Sequence, residues 1–199
     1  MRRLPSLVAL ALPLVLACSS SDDAKSSSSG GASSSGGASA DLLKLGGTFD
    51  KLTLTPKEGI GIIDHAIDDA AKAKGVKTSF RAYVSDATQL CAKGANRPNG
   101  TVFFIEALTD KDTLQPGDFT QQQDSVPGQL DLGIAKLDAT CGTNGSDYGT
   151  ESGKLTITSV TATAVAGTFD VTLMNGAGTL SGSFNVSLCA SQGSDACAP

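Results

Sequence analysis

Two segments near the C-terminus share one alternating pattern of apolar and polar residues. Residues 165–173 (VAGTFDVTL) and residues 180–188 (LSGSFNVSL) place apolar side chains at every second position, with Thr, Ser, Asp and Asn between them. A period of two with one polar face predicts half-buried β-strands. The six residues between them, MNGAGT, predict a glycine-containing hairpin loop and therefore an antiparallel pair. Gly167 and Gly182 fall on the apolar face, where a missing side chain permits close packing.

Other segments show the same alternation or are rich in β-branched and aromatic residues. These candidate strands are residues 49–54, 78–84, 101–108, 129–137 and 154–160. Clusters of Gly, Asn, Asp and Pro separate them, as in proteins built from many short strands. The pattern predicts a mainly β domain, an antiparallel β-sandwich or barrel of about seven to nine strands.

Residues 56–74 depart from the strand pattern. Thr55, Pro56 and Glu58 match the cap, first position and capping glutamate of a helix, and apolar residues then recur at three- and four-residue steps until Gly75. We therefore favour one helix over this range. Its Gly-Ile-Gly-Ile segment also fits an alternating strand, because glycine is unfavourable inside a helix, so that alternative stays open.

The first 17 residues, MRRLPSLVALALPLVLA, join two arginines to an apolar stretch that ends before Cys18. The stretch is shorter than the roughly 20 residues of a membrane-spanning helix, so it predicts a secretory signal peptide. The sequence Val-Leu-Ala-Cys at residues 15–18 resembles the processing site of bacterial lipoproteins. That resemblance implies cleavage before Cys18, lipidation of Cys18 and anchoring in a membrane; the alternative is an ordinary signal followed by a stray cysteine.

A flexible tether is predicted to follow the lipidated cysteine. Residues 19–40 contain eleven Ser, four Gly and four Ala, a composition with nothing to bury. Residues 18–40 thus form the anchor and tether, and residues 41–199 form a single β domain. By resemblance to lipoproteins, Ser19 and Ser20 imply delivery to the outer membrane of the bacterial cell envelope, facing either the periplasm or the outside.

Four further cysteines lie in the domain: Cys91, Cys141, Cys189 and Cys197. An even number in an exported chain predicts two disulfides, for which three pairings are possible. We prefer Cys91 with Cys141 and Cys189 with Cys197, because this pairing closes the shorter loops.

Composition limits the partners and cofactors. The chain has 15 Lys and Arg against 20 Asp and Glu, a net charge of −5, so we expect no nucleic-acid partner. His65 is the single histidine, which excludes a zinc site with two imidazoles. The absence of Trp weakens the case for a sugar-binding surface. We expect no cofactor, no resident metal and no catalytic residue.

Several carboxylates remain as candidates for chemistry. On the favoured helix Asp64 and Asp68, or His65 and Asp69, would share a face and could hold a divalent ion, but we favour a solvated helix face because no matching ligand set is visible elsewhere. Residues 144–151 resemble a calcium loop only superficially, because its regular alternation of oxygen ligands is missing. A polar loop is the simpler interpretation.

A hydrolase is the alternative to a binding domain. Glu106, Asp118 and Glu151 are its candidate carboxylates, since two acidic side chains that face one cleft can cleave a glycosidic bond. A concave pocket that holds two of them would favour this alternative.

Short segments in a fixed order carry a second resemblance: YVSD, QPGDF, LDATC, SGKLTIT, and the paired VAGTF and LSGSF of type (V/L)xGxF. From Thr78 to Cys189 the chain resembles bacterial lipoproteins of unknown function, which implies a fold and no chemistry. We therefore expect a membrane-anchored lipoprotein whose non-catalytic β domain binds an unknown protein or small molecule, or has a structural role.

Overall fold

Segments with apolar side chains at alternate positions form nine β-strands, and two short helices lie between strands. The computed structural model describes residues 42–49, 51–122, 124–143, 145 and 147–190. The predicted signal peptide, Cys18, the tether and Cys197 lie outside these residues. Within the described ranges, no helix is long and apolar enough to cross a membrane.

The order of elements confirms a mainly β fold with the expected number of strands. Helix α1 spans Asp69–Ala73, helix α2 spans Leu90–Lys93, and a 3₁₀ turn at Met174–Gly176 joins the last two strands. The strands are β1 Leu43–Gly47, β2 Glu58–Asp64, β3 Thr78–Ser85, β4 Thr101–Thr109, β5 Gly117–Gln121, β6 Gln129–Lys136, β7 Asp147–Val160, β8 Ala164–Leu173 and β9 Gly178–Leu188.

All nine strands belong to one mostly antiparallel sheet whose pairings form a ring. Strands β2, β3, β4, β6, β7, β8 and β9 follow one another, and a short parallel pairing of β9 with β2 closes the sequence of neighbours. Strand β1 pairs with β9, while β5 pairs with both β6 and β7. The inward side chains form the main core, and smaller apolar clusters around Ile60 and Val102 cover parts of the outer face.

The two matching C-terminal segments form the predicted antiparallel pair, β8 and β9. The register places Phe184 opposite Gly167 and Phe169 opposite Gly182. An added Cβ at Gly167 would lie 2.7 Å from the ring of Phe184, and one at Gly182 would lie 3.0 Å from the ring of Phe169. Each phenylalanine therefore occupies the space that the other segment's glycine leaves open.

Both phenylalanines belong to the main core. Phe169 and Phe184 are 4% and 2% exposed. The ring of Phe169 packs on that of Phe103 with centroids 5.1 Å apart, and Phe184 stacks on Phe80 at 6.3 Å. The hairpin is thereby joined to β3 and β4 across the interior.

The predicted helix over residues 56–74 is wrong, because most of its first half is β2 and only α1 within the range is an α-helix. Gly59 and Gly61 face the interior, where an added Cβ would crowd neighbouring side chains. Ile60 and Ile62 are buried on the other face of the strand. The alternative, an alternating strand over Gly-Ile-Gly-Ile, is confirmed, and the structure adds that this strand is covered on both faces.

The predicted strand at residues 49–54 is also wrong. The described residues from 51 to 57 form no strand, and the first strand, β1, precedes them. Strand β5 and helix α2 carried no sequence prediction. The other predicted strands are present, with β7 beginning earlier than expected.

The observed disulfide joins Cys91 to Cys189, so the preferred pairing of both cysteines is wrong. Their Cα atoms are 5.8 Å apart although 98 positions separate them in the chain. Loop length failed as a criterion because the parallel pairing of β9 with β2 brings the end of β9 beside helix α2, which carries Cys91. Cys141 is also disulfide-bonded.

Candidate functional site

A row of charged residues crosses the outer face of the sheet. Arg81 on β3 lies opposite Glu106 on β4, and Glu106 lies opposite Asp131 on β6. The neighbouring residues Phe80 and Ile105 are buried inside the ring, so the alternation of strand side chains turns the charged row outward. Directly opposite residues have Cβ atoms about 4.5–5.5 Å apart, which is close enough for their charges to interact.

Part of this row forms the floor of a cavity of about 220 Å³. Ser79, Arg81 and Glu106 line it from the sheet, and Ser125 and the segment between β2 and α1 line it from the sides. That segment is held in place because Ile67 packs in a small apolar cluster with residues of α1 and β4. The sheet and the loop together make a concave site.

The charges around the cavity do not balance. Asp64, Asp68 and Glu106 contribute three carboxylates, and Arg81 contributes one guanidinium. Asp68 also caps helix α1, because its Oδ1 accepts a hydrogen bond of 2.9 Å from the backbone N–H of Ala71. The excess of carboxylates favours ligands that carry positive charge or donate hydrogen bonds.

Arg81 is held by Asp64, and one of its donors is buried without a partner. Its Nη2 donates to Asp64 Oδ2 at 2.9 Å, and the two side chains are 36% and 32% exposed. The other oxygen of Asp64 accepts from the backbone N–H of Ala66 at 2.7 Å. Arg81 Nε is buried, and no acceptor in the described part of the chain reaches it. A buried N–H without an acceptor costs free energy, so holding the guanidinium against Asp64 leaves Nε at a cost to stability.

Glu106 likewise has one oxygen available. Its Oε1 accepts a hydrogen bond of 3.2 Å from the hydroxyl of Ser79, which is 5% exposed. None of the described residues donates a hydrogen bond to Oε2. Glu106 is therefore oriented by Ser79 and retains an acceptor.

Asp131 adds a further carboxyl beside Glu106. Burial raises the pKa of Asp131, and a hydrogen bond from the backbone N–H of Leu132 opposes that shift. The raised pKa means that the negative charge at this position is poorly solvated. A positively charged group near the row would compensate for that cost.

The predicted metal-binding face of residues 64–69 does not form, because these residues are not on one helix. Asp64 ends β2, and Asp69 begins α1. His65 Nδ1 lies 3.2 Å from the hydroxyl of Thr78. Among the described residues, no three His, Cys, Asp or Glu side chains are arranged to hold a metal ion.

The three carboxylates proposed for a hydrolase are distributed over different places. Glu106 lines the first cavity, and Asp118 lines a second, more open one of about 380 Å³ near the start of β5. Glu151 is exposed on β7 and lines neither. Hydrogen bonds from Thr156 and Lys154 lower the pKa of Asp118. The acidic residue directly opposite Glu106 in the strand register is Asp131 on β6, which is not one of these three.

The candidate calcium loop at residues 144–151 lies partly outside the described residues, because Asn144 and Ser146 are not among them. Its second half, from Asp147 onward, belongs to β7. Asp147 accepts a hydrogen bond of 3.2 Å from Thr143. The lipidation site Cys18 also lies outside the described residues.

Sequence reasoning missed Arg81, Asp131 and Ser79. Each is a polar residue within a strand that is otherwise mostly apolar, at a position that alternation assigns to the outer face. The alternation could have assigned these residues to the outer face. Only the register of β3, β4 and β6 shows that they lie next to one another.

Comparisons with known proteins give no match to a family model, to a curated protein or to a solved structure.

Proposed function

We propose that the chain is an exported lipoprotein, anchored to the bacterial envelope through Cys18, whose β domain binds a small polar ligand without transforming it. The N-terminal sequence supports the anchor, since an apolar stretch, a cysteine and a Ser/Gly tether follow one another there. The single observation that supports binding is the concave cavity at Ser79, Arg81 and Glu106, where Glu106 Oε2 accepts no hydrogen bond from the described residues.

The size of the cavity supports a small ligand. Its volume of about 220 Å³ is below the roughly 300–1,000 Å³ of pockets that enclose drug-sized molecules. Its polar lining provides several hydrogen-bonding groups, as expected for specific recognition of a polar molecule.

Cell fractionation tests the anchor. The wild-type chain should sediment with membranes, and Cys18→Ala should release it, because several acyl chains bind a membrane far more tightly than the polypeptide alone. Ser20→Ala is the matched control and should stay with the membrane. Unchanged sedimentation of Cys18→Ala would contradict the anchor.

Ligand capture tests the binding function. The chain is mixed with small-molecule extract of bacterial envelope, separated by gel filtration, and the retained compounds are identified by mass spectrometry. We expect a compound that the wild type and Asp170→Asn retain and Glu106→Gln loses. Retention of no compound, or equal retention by all three proteins, would contradict a binding role for this cavity.

A second candidate function is supported by the pairing of Glu106 with Asp131. Directly opposite residues have Cβ atoms about 4.5–5.5 Å apart, a placement compatible with the roughly 5 Å carboxyl spacing of retaining glycosidases, and burial raises the pKa of Asp131 as a general acid requires. Release of sugars from envelope polysaccharides by the wild type, and none by either Glu106→Gln or Asp131→Asn, would establish this alternative.

A further inference from the structure

We propose that the disulfide between Cys91 and Cys189 is a redox-sensitive latch, which a dithiol reductant opens. In the oxidised chain the disulfide holds helix α2 against the outer face of β2, at the place where β9 and β2 close the ring of strands. Reduction should release α2 and this closing pair while the rest of the sheet stays folded. Neither cysteine lines the cavity at Glu106, so the latch does not depend on the proposed binding function.

The ring is closed by few backbone contacts. Strand β9 pairs with β2 over two residue pairs, Ile60 with Ser187 and Gly61 with Leu188, whereas β8 and β9 pair over ten. One further hydrogen bond of 2.9 Å runs from the backbone N–H of Cys189 to the carbonyl of Gly61. Elements with so few contacts open locally at a low cost in free energy. A covalent link beside this pairing should therefore decide whether it stays closed.

Helix α2 depends on contacts with its surroundings. It has four residues, whereas isolated helices are marginal in water below roughly 12–15 residues. Besides the disulfide, Leu90 holds it, because this side chain is fully buried in an apolar cluster with Ile60 and Ile62. The carboxylate of Glu58 also accepts a hydrogen bond of 3.0 Å from the backbone N–H of Leu90. These contacts join α2 to β2.

The backbone at the start of α2 opposes this docked position. Gln89 precedes the helix with a φ of 64°, in the left-handed region, where a residue with a side chain is strained. The contacts of Leu90 and the disulfide must offset that strain. Loss of the disulfide should therefore favour relaxation of Gln89 and release of α2.

An external thiol can reach this disulfide, because Cys91 is exposed while Cys189 is partly buried. A thiolate of the reductant attacks Sγ of Cys91, the bond between the cysteines breaks, and Cys189 leaves as a thiolate. The second thiol of the reductant then displaces Cys91 from the mixed disulfide. The dithiol supplies two electrons and two protons and becomes a disulfide, and the protein gains two thiols. Exposed disulfides are the more easily reduced ones.

Backbone order parameters from nuclear magnetic resonance test the latch on the isotopically labelled full chain in detergent. The probe is excess reduced thioredoxin, a dithiol that typical structural disulfides resist. On reduction, the amides of Leu90, Lys93 and Gly94 should fall from the rigid value of about 0.85 to below about 0.6. The amides of β8 should keep their order parameters and chemical shifts.

Variants separate this disulfide from the other contacts. Because the reductant can also reach the disulfide of Cys141, the double variant Cys91→Ala and Cys189→Ala without reductant should reproduce the loss of order in α2. Glu58→Ala removes a contact of α2 but keeps the disulfide, and in the oxidised chain it should leave α2 ordered.

Four results would overturn the latch. A disulfide that stays intact in excess reduced thioredoxin would not be redox-sensitive. Unchanged order of α2 in the double cysteine variant would show that the apolar contacts hold the helix without the disulfide. Release of α2 in oxidised Glu58→Ala would transfer the holding role to the carboxylate. Collapse of amide dispersion throughout the double variant would make the disulfide a requirement of the whole fold.

Discussion

Phe184 lies over Gly167, its register partner on β8, so closely that a Cβ on the glycine would stand 2.7 Å from the ring. The reciprocal contact of Phe169 with Gly182 makes the two matching segments interlock. The stability of the hairpin should therefore depend on both the phenylalanines and the glycines.

Truncation of either phenylalanine should be costly. Phe169→Ala and Phe184→Ala should each lower the free energy of unfolding by about 3–5 kcal/mol, because both rings are buried and would leave a cavity. Thr168→Ala, on the exposed face of the same strand, should change it by no more than about 0.5 kcal/mol. Urea unfolding midpoints measure these three changes in stability. Equal small shifts for all three variants would contradict the assigned core face.

Adding a methyl group at Gly167 should also destabilise the domain. Gly167→Ala forces the new Cβ against the ring of Phe184 and the carbonyl of Thr156, an overpacking that typically costs about 1–3 kcal/mol. Gly117→Ala, at the first position of β5, places its Cβ in open space and should be neutral or slightly stabilising. The unfolding free energies of the two variants compare a crowded strand glycine with an open one, and equal values would argue against the reciprocal packing.

The disulfide between Cys91 and Cys189 should contribute strongly to stability. It closes a loop of 98 positions, for which chain entropy in the unfolded state predicts about 4.7 kcal/mol. The double variant Cys91→Ala and Cys189→Ala should lose stability of that order. Peptide mapping without reduction should recover the two cysteines in one linked fragment, and a fragment linking Cys91 to Cys141 would contradict the fold around α2.

The stability of the domain should respond to the charge on Asp131. Burial raises its pKa in the folded chain above the value of about 3.9 for an unfolded Asp, so the unfolded chain loses this proton first as the pH rises. Folding stability therefore falls between about 3.9 and the raised pKa and stays lower above it. Asp131→Asn should gain stability relative to the wild type between pH 3 and pH 7.

Asp118→Asn is the control, because its effect on stability should change with pH in the opposite direction to that of Asp131→Asn. Hydrogen bonds from Thr156 and Lys154 lower the pKa of Asp118, so its ionised form favours the folded chain. That contribution is present above about pH 3.9 and is lost as the pH falls through the lowered pKa, so the variant should lose relative stability from pH 3 to pH 7. Urea unfolding across this range measures both trends, and parallel trends would contradict the two assigned environments.

The hairpin of β8 and β9 was predictable because its information is local. Two similar alternating segments with a six-residue loop between them have one obvious pairing, and the structure contains it. Strand β2 was not predictable in this way, because Ile60 and Ile62 are buried on one face while Gly59 and Gly61 pack on the other. Apolar residues on both faces remove the contrast that separates strand from helix periodicity.

The site depends on non-local pairing. Strands β4 and β6 pair directly although β5 lies between them in the chain, and this pairing places Glu106 beside Asp131. No local pattern specifies it. The position of Arg81 on an outward strand face could be read from the sequence, but its contact with Asp64 required β2 to be a strand.

The binding site is tested most directly by the backbone amide chemical shifts of the isotopically labelled chain during titration with small-molecule extract of bacterial envelope. We predict that the largest changes fall on Ser79, Arg81, Glu106 and the segment between β2 and α1, all of which line the cavity. Amides of β8 around Asp170 should stay unchanged. Changes concentrated on β8 or around Asp118, or no saturable changes at all, would contradict the claim that this cavity is the ligand site.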